Sequence, residues 1–322
     1  MKLGLVSDIH ARYLAPENRI DDNFFEDVVL GKVRNILQIA KDRGCAAIAQ
    51  AGDLWDNPNP TRYVVSKVMR LLLEFNIPMY TVIGQHDMIM RNFQHLNRTG
   101  TYLLESSGAA HILGLDGKPA IVKEGTEEVY LHGLSFEQDF CLPAPVEGKA
   151  NLLVAHAAVG TRQLYPGQEK DGTREFIRNN PGYDAILVGD QHYSFIDEYK
   201  GCKIYNTGCV IRKTILEHEL THEPCIFIYD TETKEAEKVL LDFKPWQKVF
   251  HIPDKKSKDE SKLQEFLDSI KGDKKVQVSF IDNLRAYYDK NKVSGNIKSL
   301  VASAMERAGM DDKELKEVKD GS

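Results

Sequence analysis

Five short groups of polar residues follow apolar stretches typical of β-strands, and they limit the fold more than any other feature of the sequence. Each group contains a carboxylate, an amide or an imidazole at the point where a strand is predicted to end. Glycine opens three of the groups and lets the chain turn sharply, so that the following side chains can point to a common centre. The groups are Asp8-Ile9-His10, Gly52-Asp53-Leu54-Trp55-Asp56, Gly84-Gln85-His86-Asp87, His156 and Gly189-Asp190-Gln191-His192.

The order of the predicted elements indicates an α/β fold. Strand 2–6, helix 24–43, strand 46–51, helix 63–75 and strand 79–83 alternate along the first third of the chain, which predicts a sheet flanked by helices. Short strands follow closely on one another in the middle of the chain and predict a second sheet facing the first. Because α/β sheets place ligand sites at the carboxyl ends of their strands, we expect the five groups to converge.

The residue types in these groups predict a pair of metal ions. Asp8 and His10 are two residues apart on an extended segment, so both side chains share one face and can hold one ion together. Carboxylate, amide and imidazole ligands suit manganese, iron, zinc or magnesium better than a sulfur-bound structural zinc. Seven candidate ligands are too many for one tetrahedral ion, but they suit two ions about 3.5–4 Å apart that share a carboxylate.

The order of the groups resembles that of the calcineurin-like metallophosphoesterases, whose pattern is D-x-H, G-D-x-x-D, G-N-H-D, H and G-H-x-H. Within that superfamily, residues 52–56 (GDLWD) are similar to the G-D-L-F-D of the SbcD and meiotic-recombination-eleven nucleases. Residues 204–214 (IYNTGCVIRKT) are similar to their Y-P-G-S-x-x-R segment. The resemblance covers residues 1–245, is closest to the compact phage members, and implies a four-layer αββα sandwich.

Transferred residue by residue, the resemblance implies a role for each member of the pattern. Asp53 would bridge the two ions, and water held by the ions would be the nucleophile. His86 would protonate the leaving oxygen of a phosphoester, with Asp87 orienting its imidazole. The first ion would be held by Asp8, His10, Asp53 and His192, and the second by Asp53, Gln85, His156 and Asp190.

Two positions depart from the family pattern, and both would serve the second ion. The family has Asn where this chain has Gln85, and His where it has Asp190. Gln85 keeps the amide oxygen but sets it one methylene further out, and Asp190 replaces a neutral ring with an anion, which makes the site harder and more negative. We expect the second ion to be Mn²⁺ or Mg²⁺ rather than Zn²⁺, and to be held more loosely than the first. Neutral drift between acceptable ligands is the alternative.

Two further residues are candidates for substrate binding. Tyr193 follows the last ligand, and Arg212 lies in the segment 204–214. Either could contact a phosphate, for which arginine offers bidentate binding. The alternative is a packed tyrosine and a surface arginine. The polar segment 157–181 follows His156 and would either line a substrate groove or form an ordinary surface loop.

Composition limits the environment of the chain. No apolar run approaches the ~20 residues that a membrane helix needs, and the apolar patch at the start is too short for a signal peptide. Five cysteines without a C-x-x-C pair are typical of reduced thiols, so we expect a cytoplasmic protein without membrane contact. A net charge of −6 gives no compositional support for nucleic-acid binding, although bound cations would offset part of it.

The predicted organisation is a metallophosphoesterase domain, residues 1–250, and a small C-terminal α+β domain, residues 251–322. A solvated stretch rich in Lys, Asp and Ser, residues 254–261, separates the two. An amphipathic helix predicted over residues 296–308 makes the small domain the expected place for contact with a partner or with DNA. The resemblance implies DNA as the substrate, an SMC-like ATPase subunit of the SbcC type as the partner, and a homodimer.

Three functions remain open on the sequence alone. The leading one is a two-metal DNA nuclease, an exonuclease or endonuclease of repair and recombination, with Mn²⁺ preferred over Mg²⁺, Fe²⁺ or Zn²⁺. The negative charge slightly favours a phosphatase or phosphodiesterase of small molecules, whereas the GDLWD motif and the tail domain favour the nuclease. A non-catalytic scaffold of the same fold is disfavoured, because such a protein should lose the proton donor, and His86 is present.

Overall fold

The computed structural model describes residues 1–137, 144–163, 170–252 and Tyr288. Residues Met1–Ile252 form one compact unit and Pro253–Ser322 a second. All the strands and helices named here belong to the first unit. The domain boundary predicted after residue 250 stays a prediction, and the predicted α+β character and amphipathic helix of the small domain lie outside the described residues.

Fourteen strands and five α-helices form the described part of the chain. The strands are β1 (Lys2–Val6), β2 (Cys45–Gln50), β3 (Met79–Thr81), β4 (His111–Ile112), β5 (Ala120–Glu124), β6 (Glu127–Leu134), β7 (Ala150–His156), β8 (Val159–Gly160), β9 (Asp171–Gly172), β10 (Ala185–Gly189), β11 (Phe195–Tyr199), β12 (Cys202–Asn206), β13 (Cys225–Asp230) and β14 (Glu235–Leu240). The helices are α1 (Leu30–Asp42), α2 (Arg62–Phe75), α3 (Gly100–Ser107), α4 (Thr173–Asn179) and α5 (Glu217–Leu220).

Twelve of the strands form two six-stranded sheets of mixed direction. The first sheet has the order β14-β13-β1-β2-β3-β4, in which β1 to β4 are parallel neighbours. The second has the order β11-β12-β10-β7-β6-β5, in which β12, β10, β7 and β6 are parallel. The polar groups found in the sequence follow or end five of these parallel strands, β1, β2, β3, β7 and β10.

The helices of the first sheet begin and end where their sequences indicate. The predicted helix 24–43 starts with a π-helical segment, Phe24–Val29, and continues as α1. Helix α2 begins after Thr61, whose hydroxyl accepts a hydrogen bond from the backbone N–H of Val64 at 3.4 Å. It ends at Asn76, which adopts the left-handed conformation common at helix C-termini.

Alternating side chains of the central strands divide the core into layers. In β7, Leu152 and Val154 pack between the two sheets, whereas Leu153 and Ala155 face the other way and pack with Phe176 of α4. Side chains of the first sheet likewise point alternately to its two faces, and α1 and α2 cover the outer face. This period of two residues is the pattern of strands buried on both faces. The predicted αββα sandwich is therefore confirmed.

Within the described ranges, no helix combines the length and the apolar character required to cross a bilayer. Four of the five cysteines are described, and all four carry free thiols. The fifth, Cys141, lies outside the described residues.

Candidate metal centre

Asp53 lies at the centre of the seven predicted ligands, called the ligand cluster below. Its side chain follows β2 and is buried. Its Oδ2 atom lies 3.6 Å from Nε2 of His10, 3.7 Å from Nε2 of His156 and 4.0 Å from Nε2 of His86. Imidazole rings from both sheets therefore surround one carboxylate oxygen. The ligand cluster consists of Asp8, His10, Asp53, Gln85, His156, Asp190 and His192.

The ring of His10 also faces Asp8 and His192. The Nε2 atoms of His10 and His192 are 3.2 Å apart, and Oδ1 of Asp8 lies 3.9 Å from Nε2 of His10. Asp8 accepts a hydrogen bond from the backbone N–H of Asp190 at 3.1 Å. The loop after β10 is thereby joined to the loop after β1.

Gln85 connects the two residues with which it is predicted to share the second ion. Its Oε1 lies 2.6 Å from Nε2 of His156, and its Nε2 donates a hydrogen bond to Oδ1 of Asp190 at 2.8 Å. The other ring nitrogen of His156, Nδ1, faces the carbonyl oxygen of Ala51 at 2.6 Å. All seven predicted ligands thus belong to one continuous set of contacts.

Four residues of the ligand cluster have a left-handed backbone, which non-glycine residues adopt rarely. The φ angles are +46° for Asp8, +49° for His10, +52° for Asp53 and +93° for Asp190. Such conformations cost about 1–3 kcal/mol each and persist where the surrounding structure enforces them. Their concentration at one edge of the sandwich is the pattern expected of a functional site rather than of ordinary turns.

Two glycines permit the close approach of the ligand loops. A Cβ atom at Gly84 would lie 2.1 Å from Oδ1 of Asp53, and one at Gly52 would lie 2.5 Å from Nδ1 of His156. Gly52 also has a φ of +77°, which disfavours any side chain. No larger residue fits at either position without moving a predicted ligand.

Burial determines the protonation of the ligand cluster in the absence of cations. It raises the pKa of Asp53 to about 7 and also raises the pKa of Asp8, because a buried carboxylate loses its hydration. It holds the pKa of His10 well below its usual value. Burial alone would lower the pKa of His156, but the charges of Asp53 and Asp8 outweigh it and raise that pKa. The cluster is thus a buried set of acidic groups that nearby positive charge would stabilise.

The cluster fits divalent cations. Oδ2 of Asp53 and Nδ1 of His10 are buried and have no hydrogen-bond partner within the described part of the chain, which is costly for polar atoms. Ligands of one cation at about 2.0–2.2 Å lie about 3–4 Å from each other, which is the spacing observed here. The atoms offered by Asp8, His10 and His192 lie within 4.8 Å of one another, as do those of Asp8, Asp53 and His156. The two groups overlap at Asp8, whereas the family resemblance implies Asp53 as the shared carboxylate, and together they are candidates for holding two adjacent ions.

His86 lies beside this cluster, and its side chain is 42% exposed, so one face of the ring is open to solvent. Its Nδ1 faces the backbone carbonyl oxygen of Asp56 at 3.1 Å. Asp87, which we expected to orient this ring, instead accepts hydrogen bonds from the backbone N–H groups of Gly84 and Trp55 at 3.0 and 3.1 Å. Asp87 is fully buried and fixes the loop that carries His86, whereas the Asp56 carbonyl contacts the ring.

Three residues outside the predicted set support the cluster. Glu219 of α5 accepts a hydrogen bond from Nδ1 of His192 at 3.1 Å, and Oδ1 of Asp56 lies 3.6 Å from Nδ1 of His10. Lys213 places its Nζ 3.3 Å from Oδ1 of Asp56. Carboxylates behind ligating histidines orient the rings and raise their basicity. Sequence reasoning missed Glu219 and Lys213, because both are distant in sequence from the residues they contact.

The two predicted substrate-binding residues are both buried. The hydroxyl of Tyr193 accepts from the backbone N–H of Arg162 at 3.1 Å, and the ring lies under the Arg162 guanidinium at 4.8 Å. The Arg212 guanidinium donates to the backbone carbonyl oxygens of Leu220 and Lys244. Neither side chain has a described contact with the ligand cluster, and the phosphate contacts predicted for both stay predictions.

Comparison with protein families agrees with this site. The model of the calcineurin-like phosphoesterase family matches residues 1–194. The chain therefore belongs to the calcineurin-like phosphoesterase family of hydrolases. This family uses divalent metals, and the matched residues include every member of the ligand cluster.

Two curated proteins show sequence similarity to the chain. The DNA double-strand break repair protein Mre11 of Methanosarcina acetivorans is 32% identical over 171 residues, which are 49% of this chain and 25% of that protein. Exonuclease subunit 1 of Enterobacteria phage T4 is 21% identical over 251 residues, which are 73% of this chain and 67% of that protein. The chain thus matches only a quarter of the length of the Mre11 relative.

The chain also matches solved structures. TT1561 of Thermus thermophilus is 13% identical, with a TM-score of 0.45, and the match covers 74% of this chain and 98% of that one.

Proposed function

We propose that this chain is a metal-dependent DNA nuclease that hydrolyses phosphodiester bonds, as an exonuclease or endonuclease of DNA repair and recombination. One observation carries the proposal. A buried cluster of carboxylates and imidazoles, with an unpartnered Asp53 oxygen at its centre, lies next to the partly exposed ring of His86. A phosphoester approaching His86 from solvent would meet a proton donor and the cluster together.

Two divalent cations are the cofactor that this cluster suits, with Mn²⁺ as the proposed metal. Asp8, His10, Asp53 and His192 would hold the first, and Asp53, Gln85, His156 and Asp190 the second. When bound, such ions supply Lewis-acid polarisation of a phosphoryl oxygen and acidify water. Asp8, His10, Asp53 and His156 are buried almost completely, so the polypeptide excludes bulk water from behind the reacting group.

His86 is the proposed proton donor to the leaving oxygen. The Asp56 carbonyl accepts the proton on Nδ1, which leaves Nε2 on the side of Asp53 and of the open face. Burial, and then the charge of Lys213, lowers the pKa of His86, which makes the protonated ring a stronger acid and reduces the fraction of His86 that is protonated at neutral pH. Lys213 also supplies a positive charge beside Asp56 that would favour an approaching phosphate.

The relatives support DNA as the substrate. The Mre11 of M. acetivorans is named as a DNA double-strand break repair protein and the T4 relative as an exonuclease subunit. By analogy we propose that the chain acts with an SMC-like ATPase of the SbcC type in the cytoplasm and forms a homodimer. Residues 251–322 would form a separate domain for contact with the partner, and Tyr193 and Arg212 would contribute to phosphate binding.

The net charge of −6 favours a second candidate, a phosphodiesterase or phosphatase of small molecules. Such an enzyme would use the same cluster and the same proton donor. It differs from the nuclease only in needing no extended basic surface. An assay must therefore compare DNA with a small ester under identical conditions.

The test is cleavage of plasmid and hairpin DNA, and of an aryl phosphodiester, by the full chain with Mn²⁺. We expect DNA cleavage that His86→Asn lowers by about 10²–10⁴-fold, the usual contribution of a general acid. His111→Asn, which replaces an exposed histidine outside the cluster, is the matched control and should retain full activity.

Manganese binding, followed by calorimetry, should be retained in His86→Asn. Hydrolysis of the aryl ester without cleavage of DNA would reject the nuclease in favour of the second candidate. Full DNA cleavage by His86→Asn would reject the role proposed for His86.

A further inference from the structure

A cavity of about 330 Å³ lies against α1, between this helix and the chain after β12 and β14. Its wall is partly apolar, with Val28, Ile211 and Phe243 among the lining residues. Lys32 and Arg212 also line it, and they are only 7% and 5% exposed. A cavity of this size is large enough for a small organic ligand.

Neither of these two cations contacts a carboxylate directly, although the charge of Asp242 acts on Lys32 and those of Asp21 and Glu219 act on Arg212. Lys32 donates to the backbone carbonyl oxygen of Asp242, and Arg212 donates to the carbonyls of Leu220 and Lys244. Both charged groups lie near the face of the Phe243 ring, at 5.8 and 5.5 Å from its centre. Neither forms an ion pair with a described acidic side chain. Burying two cations side by side without counterions is unfavourable unless something else compensates them.

The remaining charged groups around the cavity supply only part of this compensation. The side chain of Arg19 is buried and forms an ion pair with Asp21 at 2.6 Å, so the Asp21 carboxylate, whose charge also acts on Arg212, is shared between two guanidinium groups. The backbone carbonyl oxygen of Arg212 accepts a further hydrogen bond from Arg19 at 3.0 Å. The other charged lining residues are exposed and therefore well screened; they are Asp27, Asp242 and Lys244.

The charge state of Lys32 agrees with an uncompensated site. Burial, and after it the charge of Arg212, lowers the pKa of Lys32 to about 7, whereas Asp242 and the buried thiol of Cys209 oppose the shift. An anion in the cavity would restore the pKa of Lys32 toward its usual value. Binding would then be accompanied by proton uptake and would weaken as the pH rises above neutrality.

We propose that this cavity is a binding site for a small phosphate monoester, held by Lys32 and Arg212 with Phe243 against its organic part. A phosphate monoester carries close to two negative charges at neutral pH, which matches the two unpaired cations. Arginine and lysine are the side chains suited to such a group. The site shares no lining residue with the ligand cluster and does not depend on nuclease activity. This role of Arg212 is an alternative to the one proposed for it in binding the substrate phosphate.

The test is calorimetric titration of the full chain with deoxyadenosine monophosphate, inorganic phosphate and deoxyadenosine. Excess EDTA removes cations, so that phosphate cannot bind through metal at the ligand cluster. We expect the monophosphate to bind and deoxyadenosine not to bind. Lys32→Met keeps the aliphatic stem and should weaken binding by about 10- to 100-fold, the effect of losing a charge-assisted hydrogen bond.

Lys41→Met is the matched control. Lys41 belongs to the same helix and also lies 5.8 Å from an aromatic ring, that of Phe75, but it does not line the cavity. Its replacement should leave the affinity unchanged. The monophosphate should bind more tightly than inorganic phosphate, because Phe243 contacts its organic part, whereas equal affinities would reject a monoester as the ligand.

The wild-type chain provides a test that needs no variant. Its affinity for the monophosphate should fall as the pH is raised from about 7 to about 9, because Lys32 loses its proton while the ligand stays a dianion. Absence of saturable binding, equal affinity of Lys32→Met and wild type, equal binding of deoxyadenosine, or a flat pH profile would each overturn the proposal.

Discussion

Glu219 accepts a hydrogen bond from Nδ1 of His192 at 3.1 Å, and its carboxylate is 2% exposed. Burial would raise the pKa of Glu219, but this hydrogen bond, the charge of His192 and two backbone N–H groups together hold it at about 2. Glu219 is therefore a permanent anion behind a predicted metal ligand. Such a partner fixes the ring so that Nε2 presents its lone pair to a cation.

Glu219→Gln should weaken Mn²⁺ binding at the first site by about 10- to 100-fold, because the amide leaves the histidine without its negative partner. Manganese titration by calorimetry measures this change. Glu217→Gln, an exposed replacement on the same helix, is the control. Equal manganese affinities of Glu219→Gln and wild type would show that Glu219 has only a structural role.

Replacing the two unusual ligands should change the metal preference of the second site. Gln85 and Asp190 are joined by a hydrogen bond at 2.8 Å, so changing one of them alone would leave the other without its partner. The double variant Gln85→Asn with Asp190→His therefore restores both residues of the family pattern together. A neutral imidazole in place of a carboxylate favours Zn²⁺ over Mn²⁺ or Mg²⁺. We expect competitive titration to show a second ion that shifts toward Zn²⁺, with the first ion unaffected. An unchanged preference would support neutral drift at both positions.

Local patterns predicted the fold and the convergence of the seven proposed ligands, because both depend on short stretches of chain; the role of these residues as ligands stays a prediction. Strand β1 ends before Asp8, and β2 ends before Asp53, as the apolar runs and the following polar groups indicate. The burial of β7 and β10 on both faces likewise follows from their continuous apolar sequences. The side chains at these strand ends then meet because the parallel strands of an α/β fold end at one edge.

Other contacts depend on how distant segments pack, and the sequence carried no local signal for them. Glu219 lies 27 residues after His192, in a short helix with no recognisable motif. Asp87 was expected to contact the neighbouring His86 ring, yet backbone N–H groups from the β2 loop surround its carboxylate. Arg212 was identified from a motif, but its guanidinium is buried near Phe243. In each case the partner is set by tertiary packing.

Gly84→Ala should impair the site far more than it destabilises the fold. The added Cβ would lie 2.1 Å from Oδ1 of Asp53, so Asp53 must move. Overpacking of this kind costs about 1–3 kcal/mol. A displacement of about 1 Å at a reacting centre can lower the rate about 10²-fold. We expect a loss of that size in DNA cleavage with a modest decrease in the free energy of unfolding.

Gly31→Ala is the matched control for this substitution. Gly31 lies in α1, and a Cβ there would meet nothing within 4 Å. Alanine is favoured over glycine in a helix by about 1 kcal/mol, so this variant should be more stable than wild type and equally active. Full activity of Gly84→Ala would show that the loop carrying His86 tolerates displacement.

Lys32 should make the stability of the fold increase with pH above neutrality. The pKa of Lys32 is about 7 in the folded chain, whereas the ordinary value of 10.5 applies in the unfolded chain. Between these two pH values the unfolded chain therefore binds more protons than the folded chain. The free energy of unfolding therefore rises with pH in this window, by at most about 1.4 kcal/mol per pH unit. Below pH 7 both states are protonated and this contribution is flat.

Urea denaturation of wild type and Lys32→Met at several pH values measures the effect. Cysteine ionisation contributes an opposite slope at high pH, so the difference between the two proteins is the relevant quantity. We expect Lys32→Met to lose the upward slope and to be more stable than wild type near neutrality. Parallel pH profiles would show that Lys32 is not desolvated in solution.

Asp53→Asn should be more stable than wild type without metal and should lose this advantage when Mn²⁺ is added. Without cations, the buried Oδ2 of Asp53 has no hydrogen-bond partner among the described residues, and burial raises its pKa to about 7. Oδ1 of Asp53 accepts a hydrogen bond from the backbone N–H of His86 at 2.9 Å. The side-chain oxygen of Asn can accept the same hydrogen bond, and the substitution removes the buried acid. In EDTA the variant should therefore be more stable by about 1–3 kcal/mol.

Saturating Mn²⁺ should stabilise wild type by about 2.7 kcal/mol at a hundredfold excess over Kd. Asp53→Asn should gain much less, because the neutral amide is a poor bridge between two cations. Urea denaturation with and without Mn²⁺ measures both differences, and Asp22→Asn, an exposed replacement, is the control. If Asp53→Asn were the less stable protein in EDTA and gained as much from Mn²⁺ as wild type, Asp53 would be an ordinary structural carboxylate. The buried Asp53 carboxylate thus destabilises the chain without a cation, and relief of this destabilisation contributes to its affinity for one.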